Sequence, residues 1–191
     1  MSDDRNFAQL VSLACHDVRT PLATVHGFVK TIERTVELAP PTDRYMQMIG
    51  AASAEMAELL DTLSVAARIE AGRYEPTRRP ADTLELARNA EERLEGVQVS
   101  GEGAQLETDV ETVDRAVSSL VRCALRHGGL DAVSVVVRGA EIDVSPITPA
   151  SAPVVLGEDL RDLRAAVAVR VLRALGGDAA VDGDVLTLRL A

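Results

Sequence analysis

The segment LACHDVRTPLATVHGF, Leu13 to Phe28, sets a histidine beside an aspartate and follows them with an arginine, a threonine and a proline. These residue types at this spacing suit nucleophilic chemistry. A carboxylate at Asp17 can accept the proton of one imidazole nitrogen of His16 and leave the other nitrogen with a free lone pair. Arg19 and Thr20 come one turn later, with donors able to hold an oxyanion or a water near the ring. Pro21 has no N–H, so the carbonyl of Asp17 loses its helical partner. A bend is expected there, opening space for a docking partner.

The elements that must position these groups are long helices. Phe7, Leu10, Val11, Ala14, Val18, Leu22, Val25, Val29 and Ile32 recur at spacings of three and four, which predicts a helix from about Phe7 to Val36. Each helical residue turns by about 100°, so His16 lies roughly 200° from Ala14 and from Val18, away from the stripe. Pro40-Pro41 breaks the chain, and Thr42 or Asp43 is placed to cap a second helix. That helix carries Tyr45, Ile49, Ala52, Met56, Leu59, Leu63, Ala66 and Ile69, and Gly72 marks its end. Two helices cannot bury two such stripes between themselves. A second copy would close a four-helix bundle, so a homodimer is expected.

Composition narrows the class. The 191 residues are 47% hydrophobic but only 2% aromatic, without Trp, so the core must be Leu, Val, Ala, Ile and Met. A formal net charge of −10 makes the chain a poor non-specific binder of nucleic acid or of an anionic membrane surface. No apolar run approaches the ~20 residues of a membrane span, and the start MSDDRNF lacks the pattern of a secretory signal. Cys15 and Cys123 stand far apart, without the spacing of metal ligands, and read as buried free thiols of a cytoplasmic protein.

From about residue 76 the pattern changes. Asp82–Leu94, Glu111–His127 and Glu158–Leu175 read as helices, the last ended by Gly176-Gly177. Short strands are expected at Val97–Val99, Gln105–Glu107, Val133–Val137, Glu141–Val144, Ala179–Val181 and Val185–Leu190, with a Pro- and Ser-bearing loop from Ser145 to Leu156. The expected fold class is α+β. A helical hairpin over residues 1–75 forms a dimeric four-helix bundle, and a two-layer α/β sandwich follows over residues 76–191.

The run His16-Asp17-Val18-Arg19-Thr20-Pro21-Leu22 resembles the phosphoacceptor box of bacterial two-component sensor histidine kinases, commonly H-E-L-R-T-P-L, with Asp for Glu at its second position. The resemblance extends over Phe7 to about Tyr74, where the hairpin is similar to that family's dimerisation and histidine-phosphotransfer domain. It implies that His16 becomes a phosphohistidine and that Asp17 is its neighbouring base. It also implies that Thr20 positions water when such proteins dephosphorylate their partner.

The family's second domain binds ATP, and its Asn-bearing helix is similar to Asp109–His127, DVETVDRAVSSLVRCALRH. Asp109, Val113, Val117, Leu120, Ala124 and His127 fall in frame, but Ser119 and Cys123 stand where the two Asn belong. The second Asn resembles a magnesium ligand, and a thiol is a poor ligand for a hard cation that takes oxygen. No D-x-G-x-G follows Glu141–Val144, no G-x-G-L-G precedes the last long helix, and Ser145–Leu156 is short for an ATP lid. Arg161 and Arg164 bring charge to that place but not a glycine cradle for phosphates. The resemblance therefore implies a degenerate ATPase-like domain, with no cofactor on this chain and Mg²⁺ supplied by the partner.

The expected function is phosphorelay: His16 exchanges a phosphoryl group with the aspartate of a response-regulator receiver domain, as dimeric bacterial histidine phosphotransferases do. Lys30 and Arg34 lend the first helix positive charge for an acidic partner. Two other readings stay open at this point. One is a divergent but active sensor histidine kinase; the other is a non-enzymatic adaptor or inhibitor of a kinase/regulator pair.

Overall fold

A computed structural model describes the backbone of residues 2–191 and the side chains of residues 7–191. The chain divides into two compact units, Met1–Arg73 and Tyr74–Ala191.

The first unit is a helical hairpin, α1 (Ser2–Thr35) and α2 (Thr42–Glu70). Helix α1 runs unbroken through Pro21. At the start of α2, Pro41 takes the N-cap place and no side chain caps the helix. Asp43 lies inside the first turn instead, with Oδ1 buried and unbonded. The expected stop is present: Gly72 has φ 65°, Arg73 N–H donates to the Arg68 carbonyl and Gly72 N–H to the Ile69 carbonyl. This crossed pair is a Schellman motif, which needs the left-handed conformation glycine adopts without strain.

The seam between α1 and α2 differs from the expected stripe. Its buried residues on α1 are Ala8, Cys15 and Val29, with Leu22 half-buried, a strict seven-residue repeat. On α2 they are Gly50, Ser53 and Ala67. Small residues let the backbones approach: a Cβ on Gly50 would sit 3.2 Å from Val29 Cγ1. The large apolar residues Phe7, Leu10, Val18, Val25 and Phe28 of α1, and Tyr45, Met48, Ile49 and Met56 of α2, stay exposed within the single chain. The expected stripe is therefore divided: Leu22 and Val29 enter the seam, while Phe7, Leu10, Val18 and Val25 form the outer flank of the hairpin.

The second unit is α+β. Its main sheet has strand order β2-β4-β5-β7-β6, built from β2 (Val97–Gly103), β4 (Val133–Gly139), β5 (Glu141–Ser145), β7 (Val185–Arg189) and β6 (Asp178–Asp182). Only β2 and β4 run parallel; the other neighbours are antiparallel. Helices α3 (Thr83–Arg93), α4 (Val110–Gly128) and α6 (Leu163–Ala174) supply the second layer. Val135, Val137, Ile142, Val144, Leu186 and Leu188 from the sheet and Val113, Val117, Leu120, Val121 and Leu172 from the helices are fully buried. Each side chain of this kind contributes about 1.5–3 kcal/mol by leaving water.

Three features of this unit depart from expectation. Strand β1 (Arg79–Asp82) pairs antiparallel with β3 (Gln105–Thr108) as a separate two-stranded sheet. The loop after β5 holds a short helix, α5 (Ala152–Val155), which buries Val154 and Val155. Helix α6 starts at Leu163 rather than near Glu158, because Asp162 takes the cap and accepts a hydrogen bond from Ala165 N–H at 3.1 Å. The preceding amides of Glu158 and Asp159 are spent on the Pro153 carbonyl.

Candidate functional site

Cys15 fixes the orientation of His16. Cys15 is buried in the hairpin seam, so the next residue turns by about 100° onto the flank of α1. The apolar outer face lies on the other flank. The His16 and Asp17 side chains are 75% and 68% exposed. His16 Nδ1 lies 3.1 Å from Asp17 Oδ1. A carboxylate only accepts, so Nδ1–H is the donor, and in the neutral ring the free lone pair then belongs to Nε2.

The other box residues are placed differently from one another. Arg19 Nη2 donates to Asp61 Oδ1 at 2.6 Å, across to α2. Its guanidinium is engaged in the hairpin rather than at the imidazole. Thr20 is exposed one turn beyond His16, and its carbonyl accepts from Thr24 Oγ1 at 3.1 Å. Pro21 is exposed on the outer flank beside Val18 and Val25.

A second polar tie, unforeseen in the sequence, joins the helices. Ser53 Oγ donates to the Gly50 carbonyl at 2.8 Å, so His26 Nδ1–H donates to Ser53 Oγ, also at 2.8 Å. His26 is thus a seam histidine and His16 a flank histidine. The signal was the seven-residue interval from Arg19 to His26, which places both on one edge of the seam.

In the second unit, helix α4 carries Ser119 and Cys123, with Cys123 fully buried. Burial, and then the Asp162 carboxylate, push the Cys123 thiol up to about 12. The Cys15 thiol is also raised, mainly by burial. At the start of α4, Asp109 accepts from Tyr74 Oη at 3.0 Å and from the amides of Thr77 and Thr112, each at 3.3 Å. Burial alone would raise its carboxyl, but these donors outweigh that cost and hold it below the ordinary range.

Comparison with known proteins agrees with this geometry. The His Kinase A (phospho-acceptor) domain family matches residues 8–72. No curated protein matches the sequence. Among solved structures, the chain is similar to full-length ShkA in complex with AMPPNP, at a TM-score of 0.67 and 18% identity over 94% of this chain. It spans 44% of that longer chain. It is also similar to the Acinetobacter baumannii histidine kinase AdeS, at a TM-score of 0.55 and 16% identity, covering 92% of this chain and 97% of that one. Among the described residues, no helix is long and apolar enough to cross a membrane. Residues 8–72 match the phospho-acceptor domain of the His Kinase A family, and the chain as a whole shares the fold of these histidine kinase structures, a helical hairpin followed by an ATPase-like α/β domain.

Proposed function

We propose that this chain carries a phosphoryl group on His16 and exchanges it with the aspartate of a response-regulator receiver domain, without an autokinase activity of its own. The observation that carries this is the solvent-facing imidazole whose Nδ1 is held by Asp17. The Nε2 lone pair attacks the phosphorus of an aspartyl phosphate. A P–N bond forms, the P–O bond to the receiver breaks, and the carboxylate returns to the receiver. The positive charge that develops on the ring is balanced by Asp17 at Nδ1. Such a transfer needs alignment more than elaborate machinery, because the receiver brings its own Mg²⁺ and acidic pocket. Thr20, exposed one turn on, is placed to orient water when the acyl phosphate is hydrolysed instead.

The second unit supports the absence of autokinase activity. Cys123 at the magnesium-ligand position is a buried thiol, which does not suit Mg·ATP. The segment between β5 and α6 turns Val154 and Val155 into the unit's own core. Homodimerisation belongs to the same proposal, since the exposed apolar flanks of α1 and α2 would be covered by a second copy in a four-helix bundle.

The test is incubation with receiver domains carrying radiolabelled aspartyl phosphate. Label should move to this chain as an acid-labile, base-stable adduct and be absent in His16→Gln. Label retained in His16→Gln, or none accepted by the wild type from any receiver, overturns the reading. A second reading, an active kinase, draws on the AMPPNP held by ShkA. Titration with Mg·ATP separates the two: micromolar affinity together with self-labelling would favour the kinase.

A further inference from the structure

The second unit holds a cluster that phosphotransfer does not use. Cys123 Sγ, a His127 ring nitrogen and an Asp162 carboxylate oxygen lie within 4.8 Å of one another. Cys123 and His127 are four residues apart on α4 and so share one face. Asp162 arrives from the start of α6. Its Oδ1 is occupied in capping that helix, and its Oδ2 faces His127 Nε2 at 3.3 Å. Cys123 is fully buried, and the side chains of His127 and Asp162 are each 16% exposed.

We propose that Cys123, His127 and Asp162 form a Zn²⁺ site that ties the start of α6 to the C-terminal half of α4. Zinc bonds of about 2.0–2.1 Å to nitrogen and oxygen set a tetrahedral edge of about 3.3–3.4 Å. The His127–Asp162 separation already has that length. With a sulfur bond of about 2.3 Å, the edge to sulfur is about 3.5–3.6 Å, so the thiolate corner closes by a movement of at most about 1.3 Å. Sulfur, imidazole and carboxylate together select a borderline cation and not Mg²⁺ or Ca²⁺, which take oxygen.

Charge also balances. A thiolate and a carboxylate neutralise the ion, which matters because Arg126 and Arg161 stand near the thiol. On binding, Cys123 releases its proton to solvent, the sulfur lone pair bonds the metal, and the six-coordinate hydrated ion sheds five waters, three replaced by the protein ligands and two lost as the coordination contracts to four. Three protein ligands leave the fourth corner to water. The cluster escapes a reading of cysteine spacing because its third ligand lies 35 residues from His127 and only the fold brings it close.

The site is tested on the full chain, stripped with chelator and titrated with Co²⁺ as a spectroscopic probe. One Co²⁺ per chain should bind, giving tetrahedral visible bands and a thiolate-to-cobalt charge-transfer band that one equivalent of Zn²⁺ abolishes. Zn²⁺ alone should raise the melting temperature. Cys123→Ser should lose the charge-transfer band and bind Co²⁺ about a hundredfold more weakly; Cys15→Ser should keep both. No charge-transfer band in the wild type, a band that survives in Cys123→Ser, or one that vanishes in Cys15→Ser overturns the proposal. The wild-type spectrum decides even where a variant folds poorly. None of these readouts depends on what His16 does.

Discussion

Arg19 and Asp61 join α1 to α2 through a 2.6 Å ion pair only three residues along the chain from His16. Both side chains are more than two-fifths exposed, so water screens the pair. A double-mutant cycle with Arg19→Ala and Asp61→Ala should give a coupling below about 1 kcal/mol in urea melts. Phosphoryl acceptance should persist in Arg19→Ala. Complete loss of acceptance in a folded Arg19→Ala chain would return the guanidinium to the reacting imidazole.

Asp17 holds the proton-bearing face of His16. Asp17→Asn should slow phosphoryl acceptance by about 10²-fold, by removing the carboxylate that balances the ring's developing charge. Being exposed, the substitution should change stability by less than about 0.5 kcal/mol. Rapid-quench transfer kinetics beside a thermal melt separate the two effects. An unchanged rate would dismiss Asp17 as a participant.

Gly50 faces Val29 across the seam with no room to spare. Gly50→Leu should therefore cost about 1–3 kcal/mol by overpacking, despite leucine's better helix propensity. Chemical denaturation of the hairpin unit measures it. A stabilised variant would mean that the two helices are further apart than described.

Asp109 carries a pH signature. Its folded-state carboxyl lies below the ordinary value of 3.8, so it contributes stability that is present above that value and lost as pH falls through the lowered one. Tyr74→Phe removes one donor and moves the folded value back up. The variant should be less stable at neutral pH by about 1 kcal/mol. The gap to the wild type should narrow as pH drops below 3.8. A gap that stays constant through acid titration would show that Tyr74 acts by packing alone.

Val18 and Val25 sit on the exposed apolar flank of α1, away from the seam. If a second copy covers this flank, Val18→Glu with Val25→Glu should convert a dimer into a monomer in sedimentation experiments, with helix content retained. A wild-type chain that sediments as a monomer at micromolar concentration would remove the bundle from the proposed function.

Helix periodicity, the glycine stop at Gly72, the strand pairs around Gly139 and Gly183, and the phosphoacceptor box were legible in order along the chain, because each rests on local spacing. His16 could be placed off the stripe for the same reason. What tertiary structure alone decided was partnership. Periodicity shows that α1 has an apolar face but not which neighbour covers it. The seam chose Ala8, Cys15 and Val29 because small and mid-sized residues bring two backbones together, and it left Phe7, Val18 and Phe28 outside. The same limit hid the Arg19–Asp61 and His26–Ser53 bonds, the pairing of β1 with β3, and the meeting of Cys123 and His127 with Asp162. Each joins residues far apart in the chain, and a contact of that kind exists only once packing has set the distance between elements.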